Sequence, residues 1–203
     1  MKKTILGTLC FLLPITYIGC GGIPPTFYYR IDYPLTDANQ NVTIPGTLGI
    51  AMFDADVLYE GDKIVYRNTP YEVQFYHYRR WIAPPKKIVT EKIVKHYQAE
   101  NVFQNVVAIP SATKIDYVLR GKIQAFEEWD EGNAWYGVVT LEFNLHDGKT
   151  NEIIWGRVFT DRTLAQKREA TEVVQAISQS LSKVVQKSAD GIRAYWQSNN
   201  VSN

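Results

Sequence analysis

The sequence predicts an α+β fold, a mainly antiparallel sheet with two helices packed on one face. Three observations predict it. Strand-like segments come in runs, in the order strands, helix, strands, helix, without a regular strand–helix–strand alternation. The runs are joined by short turn signals such as Asn68-Thr69-Pro70 and Asp147-Gly148, the mark of hairpins. Only two segments carry apolar residues at helical spacing, one from Pro84 to about Glu100 and one from Arg168 to Gln197.

Taken in order, Phe27 to Tyr33 reads as a strand, and Pro34 to Pro45 as a polar loop rich in Asn, Asp and Thr. Thr47 to Phe53 alternates, with Leu48, Ile50 and Met52 on one face. Asp54 to Gly61 is a connector with room for one helical turn. Lys63 to Arg67 and Glu72 to Tyr78 form the arms of a hairpin. Pro84-Pro85 opens the first helix, since proline is tolerated in a first turn. Val89, Ile93, Val94 and Tyr97 share its apolar side. Val102 to Ile109 is a short strand.

The longest strand runs from Ile115 to Glu128, with Tyr117, Leu119, Ile123 and Ala125 on one face. Trp135 to Leu145 returns beside it, turning Val139, Leu141, Phe143 and Leu145 inward. Ile153 to Thr160 completes a three-strand meander. The terminal helix carries Val173, Val174, Ile177, Leu181, Val184, Val185, Ile192 and Tyr195 at steps of three and four, one apolar stripe.

The first residues are of a different kind. Met1-Lys2-Lys3 is a basic start, Thr4 to Ile18 is an apolar stretch of 15 residues, and Tyr17-Ile18-Gly19-Cys20 follows with small residues before a cysteine. Such a layout reads as an export signal. Its apolar run is shorter than the roughly 20 residues that span a bilayer. The motif resembles the lipobox of bacterial lipoproteins, with Tyr17 where Leu is usual. That resemblance implies cleavage before Cys20, attachment of diacylglyceryl to its thiol and acylation of the new amine with a palmitate-type chain. The expected organisation is a lipoprotein signal peptide over residues 1–19, a lipidated tether over 20–26 and one periplasmic α+β domain over 27–203. Gly21 stands where lipoproteins retained at the inner membrane commonly carry Asp, which points to the outer membrane.

After cleavage 184 residues remain, enough for one domain with a sizeable core. Lys2 and Lys3 leave with the signal, so 20 basic residues face 21 acidic ones, a net charge of −1. Nothing in that balance suggests nucleic acid or a polybasic membrane patch. Cys10 is lost and Cys20 is alkylated, so no thiol is left for a disulfide. Aromatic residues make up 13% of the chain, with thirteen tyrosines, a composition that suits sheets and interfaces.

No catalytic constellation emerges, and the chain is expected not to be an enzyme. His77, His96 and His146 lie far apart with no metal-ligand spacing and read as plain surface or sheet residues. There is no Gly-x-Ser-x-Gly elbow and no phosphate-cradling loop, so neither a metal nor a cofactor is expected. Glu127, Glu128, Asp130 and Glu131 form the densest acidic cluster. Glycosidic hydrolysis would need two carboxylates about 5–9 Å apart across a cleft, whereas Trp129 to Asn133 reads as a solvated hairpin tip.

Phe75 to Trp81 is the other unusual stretch, since Arg with aromatics is the composition of binding hot spots. Strict alternation places Tyr76, Tyr78 and Arg80 on one face, as contacts for a partner or a lipid. Trp81 falls on the other face, as a contact or as filling for the core under the helix.

Tyr28-Tyr29-Arg30-Ile31, Ile64-Val65-Tyr66-Arg67, Tyr78-Arg79-Arg80-Trp81-Ile82-Ala83-Pro84-Pro85 and Asp116-Tyr117-Val118-Leu119-Arg120-Gly121 follow one another behind the export segment, with a terminal helix from near Ala170. This succession resembles the ABC-type transport auxiliary lipoproteins, the family of the paraquat-inducible protein C type. The resemblance implies a periplasmic docking subunit without chemistry of its own. Its implied partners are an ABC transporter and a protein with a mammalian-cell-entry domain, and phospholipid is the cargo that such systems move between inner and outer membranes. It implies a lipid-anchored protein at the outer membrane, facing the periplasm, and leaves a homo-oligomer open. Two other readings remain: a structural lipoprotein of a secretion or lipopolysaccharide-export complex, and a periplasmic hydrolase using Glu127, Glu128 or Asp130.

Overall fold

The computed structural model describes residues 22, 24–35 and 43–200. The signal peptide over residues 1–19 and the attachment residue Cys20 lie outside them, as does most of the Asn-rich loop after Leu35. Nine strands and two helices follow in order. They are β1 (Phe27–Tyr29), β2 (Ile44–Ile50), β3 (Asp54–Ala55), β4 (Lys63–Arg67), β5 (Gln74–Trp81), α1 (Pro85–Ala99), β6 (Phe103–Ala108), β7 (Tyr117–Glu131), β8 (Ala134–Asp147), β9 (Ile153–Leu164) and α2 (Ala170–Asn200). A single 3-10 turn, Val57–Tyr59, stands in the expected connector.

The α+β class holds, and the mainly antiparallel sheet also takes in short parallel pairs, so it is mixed. The long meander β7-β8-β9 is antiparallel, as is the β4-β5 hairpin. The pairs β1-β5, β2-β6, β2-β7, β3-β7 and β4-β7 are parallel. The cause lies in β7, 15 residues long. One of its edges is taken by β8 along the whole length. The other receives three short strands in succession: Leu48 beside Tyr117, Asp54 beside Lys122 and Val65 beside Glu127. Chain 48–67 therefore travels along β7 in the same direction, which local hairpin signals do not report.

Both helices cover one face. On that face β7 supplies Leu119, Ile123 and Phe126 and β8 supplies Val139, Leu141, Phe143 and Leu145, all buried. The α2 stripe from Val173 to Ile192 lies over them, also buried. Gly137 lets α2 approach β8 closely: a Cβ there would stand 2.2 Å from the Ile177 backbone nitrogen. The Ser180 hydroxyl of α2 donates to the Gly137 carbonyl at 2.8 Å. Lys183 and Lys187 clamp the adjoining strand through Asp161 at 3.3 and 3.2 Å.

Helix α1 begins with Pro85 in its first turn, as expected. Thr90 accepts the Phe53 backbone N–H at 3.0 Å, tying the helix to the turn after β2. Against α2, the Tyr97 hydroxyl meets Ser188 at 2.8 Å, and Arg193 donates to the Glu100 carbonyl at 2.6 Å. His96, expected as a plain surface or sheet residue, is buried here, with Nε2 3.0 Å from Gln186 Oε1. Burial holds its pKa below the ordinary value.

One strand departs from its expected phase. A β-bulge between Ile123 and Ala125 inserts a residue into β7. Ala125 thereby pairs with Thr140 on the outer face, and Phe126 turns inward beside Val139. Every residue after the bulge changes side relative to the simple alternation. Near the other end of the sheet Met52, expected to share a face with Leu48 and Ile50, is exposed, because β2 stops at Ile50 and Phe53 takes the buried place.

Candidate functional site

The acidic cluster is not the solvated tip that its composition suggests. Strand β7 continues through Glu131, and the turn to β8 is only Gly132-Asn133, with Gly132 at φ +57°. Glu127 and Glu128 are 3% and 0% exposed. Because they are neighbours in a strand, they point to opposite faces.

Glu127 lies under the 3-10 turn. Its Oε2 accepts from the Tyr59 hydroxyl at 2.5 Å and from Arg67 Nη2 at 2.6 Å, and Arg67 also donates to the Tyr59 hydroxyl at 3.3 Å. Arg67 extends across the Trp129 ring, 5.6 Å from its centre. Burial, reinforced by the adjacent carboxylate, pushes the Tyr59 phenol far above its ordinary value. This triad joins β4, the 3-10 turn and β7.

Glu128 faces the helices, where the bulge has turned it. The Tyr76 hydroxyl donates to it at 2.9 Å, and Tyr66 and Tyr76 rings close over one another at 4.8 Å between centres. Burial first, then the hydrogen bond with Asp130, pushes the Glu128 carboxyl up to about 8. Burial raises Asp130 as well, against the opposing charge of Arg168. Asp130 Oδ1 is buried and accepts from no donor when both carboxyls are ionised. A neutral Glu128 resolves this, since its O–H then donates to Asp130. Burial thus favours one proton held between the two carboxyls. They do not face each other across a cleft, and Glu128 has no exposed atoms with which to meet a substrate.

The four candidate contact residues of β5 are split up. A register shift between Lys63 and Val65 breaks the alternation of the β4-β5 hairpin. Tyr76 turns in to Glu128, and Arg79 rather than Tyr78 lies over its ring, at 5.0 Å. Arg80 pairs with Asp62 at 2.8 Å. Trp81 is 1% exposed and packs on Phe126 with ring centres 5.1 Å apart, so it fills the core and offers no contact. Tyr78 presents its ring to solvent, at 43% exposure. The tyrosines and arginines were visible in the sequence, but the register shift that separates them was not.

Among the described residues no group of His, Cys, Asp and Glu is placed to hold a metal ion. Nor is any helix among them long and apolar enough to cross a membrane.

The profile of the ABC-type transport auxiliary lipoprotein component family matches residues 29–189, from the last residue of β1 well into α2. A crystal structure of the protein XCC0632 from Xanthomonas campestris is 20% identical, covering 86% of this chain and 99% of that one with a TM-score of 0.76. A second crystal structure, of an uncharacterized protein, is 17% identical with a TM-score of 0.67, covering 83% and 99% of the two chains. At these identities the likeness is one of fold. No protein with a curated description matches the chain in sequence. The profile match covers well over half of the residues and spans α1, every strand but β1 and the greater part of α2, and on that ground the chain belongs to the ABC-type transport auxiliary lipoprotein family.

Proposed function

We propose that this protein is the outer-membrane-anchored auxiliary subunit of an ABC-type transporter that moves lipid between the inner and outer membranes. The observation that carries this reading is the family match over residues 29–189 directly behind a lipobox-like Cys20. Cys20 holds the acyl anchor. Two or three chains suffice for lasting attachment, where one holds only marginally, at about 0.8 kcal/mol per buried methylene. The domain then docks in the periplasm to the transporter and to its mammalian-cell-entry-domain component, and carries out no reaction itself. The internal engagement of Glu127 and the enclosure of Glu128 support a role in binding over one in catalysis.

The test is a mild-detergent pull-down of the tagged, lipidated protein, with mass spectrometry of proteins and lipids. Recovery of an ATPase together with a mammalian-cell-entry-domain protein is the expected outcome, with an acylated Cys20 at the mature N-terminus. Recovery of secretion or export components instead would overturn the assignment.

A further inference from the structure

We infer that the domain rests on an anionic phospholipid surface through the sheet corner beside its tether, where the free edge of β1 presents Phe27 and Tyr28 from its two sides next to Ile82, Arg30 and Lys95. This rests on the reading of Cys20 as the lipid anchor.

The apolar side chains of this corner are unusual for their exposure. Phe27, Tyr28 and Ile82 are 55%, 63% and 67% exposed. Pairing of β1 with β5 brings Phe27 and Tyr28 beside the distant Ile82. Strand β1 lies parallel to the last residues of β5, with Tyr29 beside Trp81, and the Ile82 N–H donates to the Tyr29 carbonyl at 2.8 Å. Beside Ile82 a depression of about 260 Å³ is edged by Arg30, Ile88, Lys92 and Lys95. The Arg30 side chain is 77% exposed. Asp32 and Glu91 also border it, and Asp32 is bonded to Arg30 and Lys92 at 3.7 and 3.4 Å. Arg30, Lys92 and Lys95 stand there against Asp32 and Glu91, one cation in excess on a mature chain whose net charge is −1.

The position of the face identifies its occupant. The tether from Gly21 to Thr26 is six residues long and reaches at most about 20 Å. Phe27 is the next residue, so this corner of the domain cannot move far from the bilayer that holds Cys20. Rings and an aliphatic side chain bordered by Lys and Arg match the boundary between acyl chains and anionic headgroups. Aromatic side chains with a polar tip favour the same depth. A second protein could cover such a patch, but the short tether places lipid against it first.

With Cys10 removed and Cys20 acylated, a cysteine introduced elsewhere is the sole free thiol, so one position can carry a polarity-sensitive dye. The lipidated full-length mature protein would be reconstituted alone, in vesicles of phosphatidylcholine with or without phosphatidylglycerol, with brominated acyl chains as quencher. Ile82→Cys reports on the face. Tyr71→Cys, 95% exposed at the far end of the β4-β5 hairpin, is the control. In phosphatidylglycerol vesicles the dye at position 82 loses most of its emission and the dye at 71 keeps it. Adding Arg30→Glu with Lys95→Glu abolishes the loss at 82. A dye at 82 that behaves like the one at 71, or one quenched equally with and without phosphatidylglycerol, would overturn the inference. No transporter is present, so a failed pull-down leaves this result standing. An unacylated Cys20 in the mass spectrum overturns anchor and docking together, whereas an acylated protein with a solvated position 82 overturns the docking alone.

Discussion

Glu128 and Asp130 lie two residues apart on the same face of β7 with their carboxyls hydrogen-bonded to each other, beneath the Tyr76 hydroxyl. The bulge after Ile123 makes this arrangement, because it turns both side chains toward α2. A carboxyl pair in such surroundings keeps one proton near neutrality, and that has a measurable consequence.

Folding stability should fall as pH rises from about 4.5 to about 8. The Glu128 carboxyl ionises near 4.5 in the unfolded chain and near 8 in the folded one. Between those values the folded state binds more protons, so raising pH favours unfolding. The contribution is fully present below 4.5 and gone above 8, and the upward shift of Asp130 acts in the same sense. Thermal melts across this range should show Tm declining in the native protein. Glu128→Gln, which stays neutral, should flatten that decline and melt higher than the native protein at pH 8. Parallel profiles for the two proteins would contradict the shared proton.

The two arginine pairs of the β4-β5 region should differ sharply in their worth. Glu127→Ala strands a largely buried Arg67 and the Tyr59 hydroxyl, a loss of about 3 kcal/mol or more. Arg80→Ala removes a half-exposed pair with Asp62, a loss of about 1 kcal/mol or less. Urea unfolding of both variants measures the contrast, and equal losses would mean that the buried triad is not formed.

Gly137→Ala should detach α2 from the sheet. The added methyl would stand 2.2 Å from the Ile177 nitrogen and 2.5 Å from the Ala176 carbonyl carbon, and helix backbone cannot step aside as a side chain can. A cost of about 3 kcal/mol or more is expected. Gly61→Ala, which meets nothing within 4 Å, should leave stability nearly unchanged. A Gly137→Ala protein with native Tm would mean that the close approach of α2 is not required.

Trp81 and Tyr78 should separate folding from docking. Trp81→Ala opens a cavity beside Phe126 and should cost about 3–5 kcal/mol in urea titration. Tyr78→Ala, at an exposed ring, should leave far-UV circular dichroism unchanged and weaken recovery of partners in the pull-down. Full recovery of partners by Tyr78→Ala would remove that residue from the docking surface.

Much of the fold was legible because it is written in local periods. The meander from Tyr117 to Leu164 shows as alternation broken by short turns, and Val139, Leu141, Phe143 and Leu145 face inward as their spacing requires. The stripe of α2 shows as steps of three and four. The site was less legible. Tyr76, Arg80 and the four acidic residues were all visible as types, but their faces depend on one bulge in β7 and one register shift in the β4-β5 hairpin. A single extra residue reverses every later side chain in a strand, and nothing in the sequence near Gln124 announces it.

By itself, then, the sequence determined the succession of strands and helices, the apolar stripes that become the core, and a cysteine set behind an export-type segment. These depend on residues close together along the chain, where covalent geometry sets the period. Only the tertiary structure decided that β2, β3 and β4 line one edge of β7 in parallel, that a bulge turns Glu128 and Asp130 to the side of Tyr76, and that β1 pairs along the end of β5 beside Ile82. Those outcomes join residues distant in sequence, and their relative placement comes from how the whole sheet packs under its two helices.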